Sequence, residues 1–120
     1  GNLTIEGHTD NVPIRTERFY SNWDLSAARA AAVANVLLAR DYVQPTRLAV
    51  TGRSDTEPRV SNTSPGNRAK NRRVEIIIDL SEPMQEQEIR LRELIESESV
   101  GQEAIIGVES GTPSSGEISW

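Results

Sequence analysis

The segment Ile5-Glu6-Gly7-His8-Thr9-Asp10-Asn11 decides the fold, because an apolar strand ends here in a run of polar residues. Leu3 and Ile5 alternate with Thr4 and Glu6, and a period of two predicts a short strand with one buried face. In α/β sheets, polar side chains that follow a strand end commonly serve as ligand groups. The segment therefore predicts a sheet strand whose end carries a site.

A helix is predicted after the polar loop of residues 7–20. Ser21 and Asp24 have the spacing of a capping box, and the run Leu25–Leu38 is rich in helix-forming residues. We expect the helix to end near residue 40, because Pro45 cannot continue it. At about 100° per residue, one apolar stripe is predicted to contain Leu25, Ala28, Ala32, Val33 and Val36.

Further elements are predicted on both sides of a long loop, residues 53–66. Residues 48–51 form a second strand, and a strand–helix–strand order makes the two strands parallel. Residues 67–72 are predicted to form a short helix, 73–80 a strand with alternating side chains, and 84–97 an amphipathic helix. From Ser97 onward we expect a poorly ordered tail, apart from a docked patch at 104–106.

Composition excludes several classes of protein and site. The 120 residues contain no cysteine, which rules out disulfides and thiolate metal sites. No run reaches the roughly 18 apolar residues that a membrane helix needs. Residues 1–80 carry 11 basic and 9 acidic side chains, and residues 81–120 carry 2 and 9, which gives the net charge of −5. A nearly neutral segment with an acidic tail does not favour general binding of nucleic acid or anionic membranes.

Arg29 and Asp10 are the residues most suited to bind a ligand. Arg29 lies inside the predicted apolar stripe, where an unpaired charge costs several kcal/mol. It either forms an internal salt bridge, to Asp10 or Asp24, or binds a ligand carboxylate through its planar guanidinium. Asp10 is either a turn aspartate bonded to its own backbone or a ligand group. If the two converge, they match a zwitterion.

Three segments carry a family resemblance: residues 5–11, residues 21–30 and residues 67–76. In this order they resemble the signature of the OmpA-like peptidoglycan-binding domain over about residues 3–80. Asn11-Val12-Pro13-Ile14 and Phe19-Tyr20-Ser21-Asn22-Trp23 are similar to the periplasmic part of the flagellar stator B subunits, MotB and PomB. That family usually has one more strand and helix before the first strand seen here, so an N-terminal piece is expected to be missing.

The resemblance implies a ligand and a set of binding residues. OmpA-like domains bind the free end of meso-diaminopimelate in the peptide stem of the cell wall. The matching residues are Asp10 for the amine and Arg29 for the carboxylate. Secondary positions around the same site are Thr9, Asn22, Leu25, Asn71 and Arg72. No cofactor or metal is implied.

The remaining candidates have structural interpretations. His8 is the single histidine, and without a second histidine or a cysteine we expect its ring to be hydrogen-bonded at the strand end rather than bound to a metal. Phe19, Tyr20 and Trp23 are predicted to form a small satellite core. The basic run at residues 68–73 lacks interleaved aromatics, which argues against nucleic acid. No Gly-x-Ser-x-Gly, phosphate-loop or dinucleotide motif is present.

The sequence thus predicts an α+β fold, an OmpA-like two-layer sandwich with a mixed sheet and helices on one face. Residues 1–80 are the predicted wall-binding domain, and residues 81–120 a short helix with a flexible acidic tail. The predicted function is non-catalytic anchoring of a flagellar stator to peptidoglycan, in the periplasm, as part of an inner-membrane-anchored protein. Its implied partners are a MotA/PomA-like subunit, reached through a membrane segment outside this sequence, and a second copy of the chain.

Three other functions stay open at this point. One is an outer-membrane wall-tethering protein of the same family. The second is a wall hydrolase or its accessory protein. The third is a protein-binding module that works through the acidic tail.

Overall fold

The structure is a computed structural model that describes residues 2–81, 83–98, 104–109 and 114–119. In chain order its strands and helices are β1 (Asn2–His8), α1 (Asn22–Ala39), a 3₁₀ turn (Pro45–Arg47), β2 (Leu48–Gly52), α2 (Pro65–Asn71), β3 (Arg73–Asp79), α3 (Glu86–Glu98), β4 (Ala104–Glu109) and β5 (Ser114–Ser119). Within these residues, no helix has both the length and the apolar character that crossing a membrane requires.

The strands form one mixed sheet in the order β2-β1-β3-β4-β5. β1 runs parallel to β2, as the strand–helix–strand order predicts, and Leu3 lies opposite Leu48. β1 runs antiparallel to β3 over its whole length, from Asn2 opposite Asp79 to His8 opposite Arg73. The end of β1 and the start of β3 therefore lie side by side at one edge of the sheet.

The core lies between one face of the sheet and the helices α1 and α3. Its buried side chains are Leu3, Ile5, Ala30, Val33, Ala34, Leu37, Val43, Val74, Ile76, Ile78, Leu91 and Ile95. Every second residue of β1 and β3 contributes to it, which matches the alternation seen in the sequence. The α+β sandwich with a mixed sheet is confirmed.

Helix α1 begins with the predicted capping box. Trp23 N donates to Ser21 Oγ at 3.2 Å, and Ser21 N donates to Asp24 Oδ2 at 3.1 Å. The predicted apolar stripe is wrong except at Val33: Val36 is 47% exposed, and the buried face contains Ser26, Ala30, Val33, Ala34 and Leu37. An alanine-rich helix has apolar residues on all sides, so its sequence does not determine which side is buried.

Glycines at the ends of β1 and β2 determine how α1 lies on the sheet. A Cβ atom at Gly7 would lie 1.9 Å from the carbonyl oxygen of Ser26, and one at Gly52 would lie 2.8 Å from Ala27 N. The absence of both side chains lets the first turns of α1 approach the strand ends closely. This approach buries Ser26 and brings Leu25 and Arg29 near the residues that follow β1.

Helix α3 belongs to the same core as residues 1–80. Leu91 and Ile95 are 2% and 6% exposed. Arg47, just before β2, donates from Nε and Nη2 to the fully buried carboxylate of Glu88 at 2.6 and 3.0 Å. The division of function at residue 80 stays a prediction, but the hydrophobic core continues past it.

The structure has two strands in the region of the predicted poorly ordered tail, and the predicted docked patch at residues 104–106 lies in the first of them. β4 runs parallel to β3, with Ile106 opposite Ile76, and β5 runs antiparallel to β4. The side of β3 that faces away from β1 has backbone groups that need hydrogen-bond partners, and these strands provide them. Residues 99–103 and 110–113, also within the predicted tail, lie outside the described residues.

Candidate functional site

A pocket of about 430 Å³ lies where β1 ends and β3 begins. Its lining combines the loop after β1, the start of α1 and helix α2, and we call it the strand-end pocket. The lining residues are Thr9, Asp10, Val12, Pro13, Ile14, Asn22, Leu25, Pro65, Arg68 and Arg72. The prediction that the end of the first strand leads into a site matches this position.

Asp10 is held rigidly in the wall of the strand-end pocket. The residue is 8% exposed. Its Oδ1 accepts from Val12 N at 3.0 Å, and its Oδ2 accepts from Arg72 Nη1 at 2.6 Å. One oxygen therefore makes the turn contact, and the other is bound by a cation. Both interpretations of Asp10 drawn from the sequence are compatible with this arrangement.

Arg29 interacts electrostatically with Asp10 and Arg72, but it is not among the residues that line the pocket and forms no hydrogen bond with Asp10. Its buried Nη1 atom has no hydrogen-bond partner among the described residues. Burial lowers the pKa of Arg29 and so does the positive charge of Arg72, whereas the carboxylate of Asp10 raises it. The internal salt bridge to Asp24 does not form either, because Asp24 caps α1. A buried guanidinium with an unsatisfied N–H group is costly unless an anion pairs with it.

The charges around Asp10 favour an anionic ligand group. Arg72 neutralises Asp10, which leaves Arg29 as a second, unpaired cation nearby. Arg68 also lines the pocket. A carboxylate that entered here would bind donors of guanidinium type, which suit its planar shape.

Thr9, Asn22 and Leu25 all line the pocket, as the predicted site required. Thr9 Oγ1 donates to the carbonyl of Asp10 at 2.9 Å, and Asn22 Nδ2 donates to the carbonyl of Val12 at 3.0 Å. These bonds fix the loop that presents Asp10. Whether the three side chains also contact a ligand stays a prediction.

Asn71, which was also predicted to bind the ligand, is not among the residues that line the strand-end pocket. It is fully buried, and its Oδ1 accepts from the backbone N–H groups of Arg59 and Val60 at 2.9 and 3.0 Å. Its Nδ2 donates to the carbonyl of Val60 and to Asn62 Oδ1, both at 2.8 Å. The amide group is therefore occupied in holding the loop of residues 59–62, and a contact between Asn71 and the ligand stays a prediction.

Arg68 is a pocket residue that the sequence interpretation did not assign. It lies on α2, four residues before Arg72, and this spacing places the two side chains on one side of a helical turn. Both line the strand-end pocket. Residues four apart lie on the same face of a helix. The spacing of Arg68 and Arg72 in the basic run could therefore have identified Arg68 as a site residue.

Two structural interpretations are wrong in detail. The ring of His8 is 1% exposed, but neither of its nitrogens has a hydrogen-bond partner within the described residues. Tyr20 and Trp23 are 69% and 54% exposed, so they do not form the expected satellite core. Instead Tyr20 packs under the guanidinium of Arg15 at 4.7 Å from the ring centre.

Comparison with known proteins gives the family. Residues 1–72 match the OmpA family. Motility protein B of Bacillus subtilis is 39% identical over 77 residues, which are 64% of this chain and 30% of that protein. The chain thus spans about a third of the length of the curated relatives it matches.

Two solved structures share the fold. The cell wall anchor of the type VI secretion system (T6SS) from Pseudomonas aeruginosa is 51% identical, with a TM-score of 0.59 over 63% of this chain and 52% of that one. The C-terminal domain of Helicobacter pylori MotB is 30% identical, with a TM-score of 0.61 over 81% of this chain and 70% of that one.

Proposed function

This chain is a member of the OmpA family, and from that premise we propose that it binds the peptide stem of peptidoglycan in the strand-end pocket. The observation that supports the proposal is the buried Nη1 of Arg29, which has no hydrogen-bond partner among the described residues, together with the carboxylate of Asp10, which Arg72 already holds. A zwitterionic head group satisfies both residues at once. The free end of diaminopimelate, with one ammonium and one carboxylate on the same carbon, is such a group.

Binding proceeds by exchange of partners within the pocket. The ligand ammonium takes the position of the Arg72 guanidinium at Asp10 Oδ2, and the ligand carboxylate pairs with Arg29. Arg72 is then free to bind a second oxygen of the same carboxylate. Its side chain is 38% exposed, so it is able to swing aside at little cost. The exchange replaces the ion pair between Arg72 and Asp10 by three ion pairs with the ligand, and it gives the unpaired N–H group of Arg29 an acceptor.

The proposed activity is recognition without catalysis. A head group held by two charged side chains needs affinity and geometry but no bond making. This agrees with the nature of the relatives, a motility protein and a cell wall anchor.

The proposed biological role is anchoring a flagellar stator to the wall from the periplasm. The support is the similarity to Motility protein B and to the C-terminal domain of MotB. A MotA/PomA-like subunit, an inner-membrane anchor elsewhere in the protein and a second copy of the chain are the partners that this role requires. The 51% identity to a secretion-system wall anchor supports a second candidate, a wall tether for another envelope machine, of which an outer-membrane tethering protein is one form.

Wall binding is tested by co-sedimentation of the purified chain with protein-free peptidoglycan. The test variants are Asp10→Asn, which keeps an acceptor for Val12 N, and Arg29→Gln. The matched controls are Asp55→Asn and Arg40→Gln, which alter exposed charges. Each lost charge-assisted contact should weaken binding roughly ten- to a hundredfold, while the controls bind like the wild type. Wild-type binding by both test variants would refute the proposal.

The head group itself is tested with two wall types. Peptidoglycan whose stem carries lysine in place of diaminopimelate keeps the ammonium but lacks the neighbouring carboxylate. Arg29 then has no anionic partner, so the wild-type chain should bind this wall at least tenfold more weakly, and Arg29→Gln should lose the preference between the two walls. Equal binding of both walls by the wild type contradicts the assignment.

The stator role is tested separately. The 120-residue chain replaces the matching segment of Bacillus subtilis Motility protein B, and swimming is measured. Restored swimming that Asp10→Asn abolishes supports the stator. Normal wall binding without restored swimming supports the second candidate.

A further inference from the structure

A second polar cluster lies on the sheet face that points away from the core. On β1, Leu3 and Ile5 face the core, so Glu6 and His8 point to the opposite side. Glu75 of β3 is directly opposite Glu6 in the antiparallel register. The loop after β2 covers these side chains: Arg53 N donates to the carbonyl of Gly7 at 2.9 Å. The cluster is separate from the strand-end pocket, whose lining does not include it.

His8 is the unexplained member of this cluster. The ring is 1% exposed, and neither Nδ1 nor Nε2 has a hydrogen-bond partner among the residues described. The nearest acceptors to Nε2 are Glu6 Oε1 at 3.5 Å and Glu75 Oε2 at 3.7 Å, both too long for a good hydrogen bond. The buried imidazole therefore has two carboxylates nearby but makes no good hydrogen bond with either, and a buried polar group in this situation calls for an explanation.

The neighbours of His8 are those of a cation site. Glu6, His8 and Glu57 each offer one donor atom, and these three atoms lie within 4.8 Å of one another. We propose that Glu6, His8 and Glu57 bind a divalent transition metal ion of the zinc class, with water completing the coordination. Imidazole nitrogen favours zinc-like ions over calcium and magnesium, which prefer oxygen ligands alone.

The geometry requires a small closure around the ion. Donors at about 2.1 Å from one ion lie roughly 3 to 4 Å apart. Glu6 and His8 are fixed on a strand, with 3.5 Å between the paired atoms. Glu57 is exposed and lies on a loop, so its carboxylate supplies the remaining movement.

The charges of the cluster are compatible with a bound dication. Three carboxylates, Glu6, Glu57 and Glu75, face the two guanidinium groups of Arg53 and Arg73. Arg73 is held in place, because its Nε donates to Glu75 at 3.1 Å and its Nη2 donates to the Glu57 carbonyl at 3.0 Å. Arg53 approaches Glu6 at 3.6 Å, and its side chain is 44% exposed. The metal ion therefore displaces Arg53 into solvent and leaves the Arg73–Glu75 pair intact.

A bound ion would tie the loop after β2 to the end of β1. The same loop continues to Arg59 and Val60, whose N–H groups bond Asn71, the residue before Arg72. The metal thus stiffens the support behind the strand-end pocket without contacting the wall ligand.

The proposal is tested by titrating Zn²⁺ into the metal-free 120-residue chain in an isothermal titration calorimeter. We expect one ion per chain and a rise in the thermal unfolding midpoint. Co²⁺ should bind at the same stoichiometry and give visible absorption bands. Glu57→Gln, an exposed substitution that leaves the fold unstrained, should raise the Kd at least tenfold. The matched control Glu93→Gln, an exposed glutamate of α3, should leave the Kd unchanged.

His8→Asn adds a second, buried variant, which should remove binding if its circular dichroism is that of the wild type. Glu57→Gln keeps the test valid if His8→Asn does not fold. Absence of one-to-one Zn²⁺ binding, or an unchanged Kd in Glu57→Gln, overturns the proposal. Equal affinity for Ca²⁺ and Zn²⁺ overturns the assigned class of ion.

Discussion

Replacement of Asn71 by alanine should destabilise the fold without altering the chemistry of the strand-end pocket. The side chain is 0% exposed and makes four hydrogen bonds of 2.8 to 3.0 Å with Arg59, Val60 and Asn62. Each such bond contributes about 0.5–1.5 kcal/mol net, and a buried N–H left without an acceptor costs about 1–3 kcal/mol. Water can reach part of this surface loop once the side chain is removed. We therefore expect a loss of about 2–4 kcal/mol in the free energy of unfolding.

The loss is measured by urea denaturation of the wild type, Asn71→Ala and the control Asn35→Ala, an exposed residue of α1. With a slope of about 1–2 kcal/mol per molar urea, the midpoint of Asn71→Ala should fall by roughly 1–4 M at an unchanged slope. Below the transition, folded Asn71→Ala should still bind peptidoglycan. A destabilisation below about 1 kcal/mol together with loss of wall binding would refute the reasoning and return Asn71 to the ligand set.

Two further predictions concern helix α3. Leu91→Ala should reduce the free energy of unfolding by about 2–4 kcal/mol, because it leaves a cavity in the shared core. Urea denaturation measures the loss, and the exposed Ile89→Ala is the control. Equally small losses in the two variants would mean that α3 does not share the core. Burial raises the pKa of Glu88, but its bonds from Arg47 and Gln85 N outweigh burial and hold the pKa below the usual 4.5. The ion pair thus stabilises the fold above pH 4.5, and this contribution should be lost as the pH falls below that value. Between pH 7 and pH 3, the thermal unfolding midpoint should fall less in Glu88→Gln than in the wild type. An equal fall of the midpoint in both proteins would contradict the assigned role of Glu88.

Local sequence signals predicted much of this fold. Ser21 and Asp24 interact within one helical turn, so their spacing alone identifies the start of α1. The alternation of side chains along β3 predicts this strand, because one face of the strand is buried. The buried face of α1, by contrast, depends on the contact between Gly7 and Ser26, which are distant in the chain, and the many alanines give no periodic contrast.

The candidate site was predictable in position but not in pairing. Asp10 follows a strand end, and this position in the sequence predicts its place in the wall of the strand-end pocket. Its partner in the structure is Arg72 rather than Arg29, because β1 and β3 are neighbours and bring these residues to one edge. The role of Asn71 depends on the loop of residues 59–62, whose irregular backbone has no sequence periodicity that would predict it.

The pairing of β1 with β3 has a mechanical consequence. Asp10 and Arg72 extend from the same end of two antiparallel strands, which are paired from Asn2 opposite Asp79 to His8 opposite Arg73. The hydrogen bonds between such strands run perpendicular to them. A force that pulls on the pocket along the strands, and is resisted at the far end of the sheet, loads these bonds in shear. Many hydrogen bonds then share the tension, whereas a force perpendicular to the strands would break these bonds one after another.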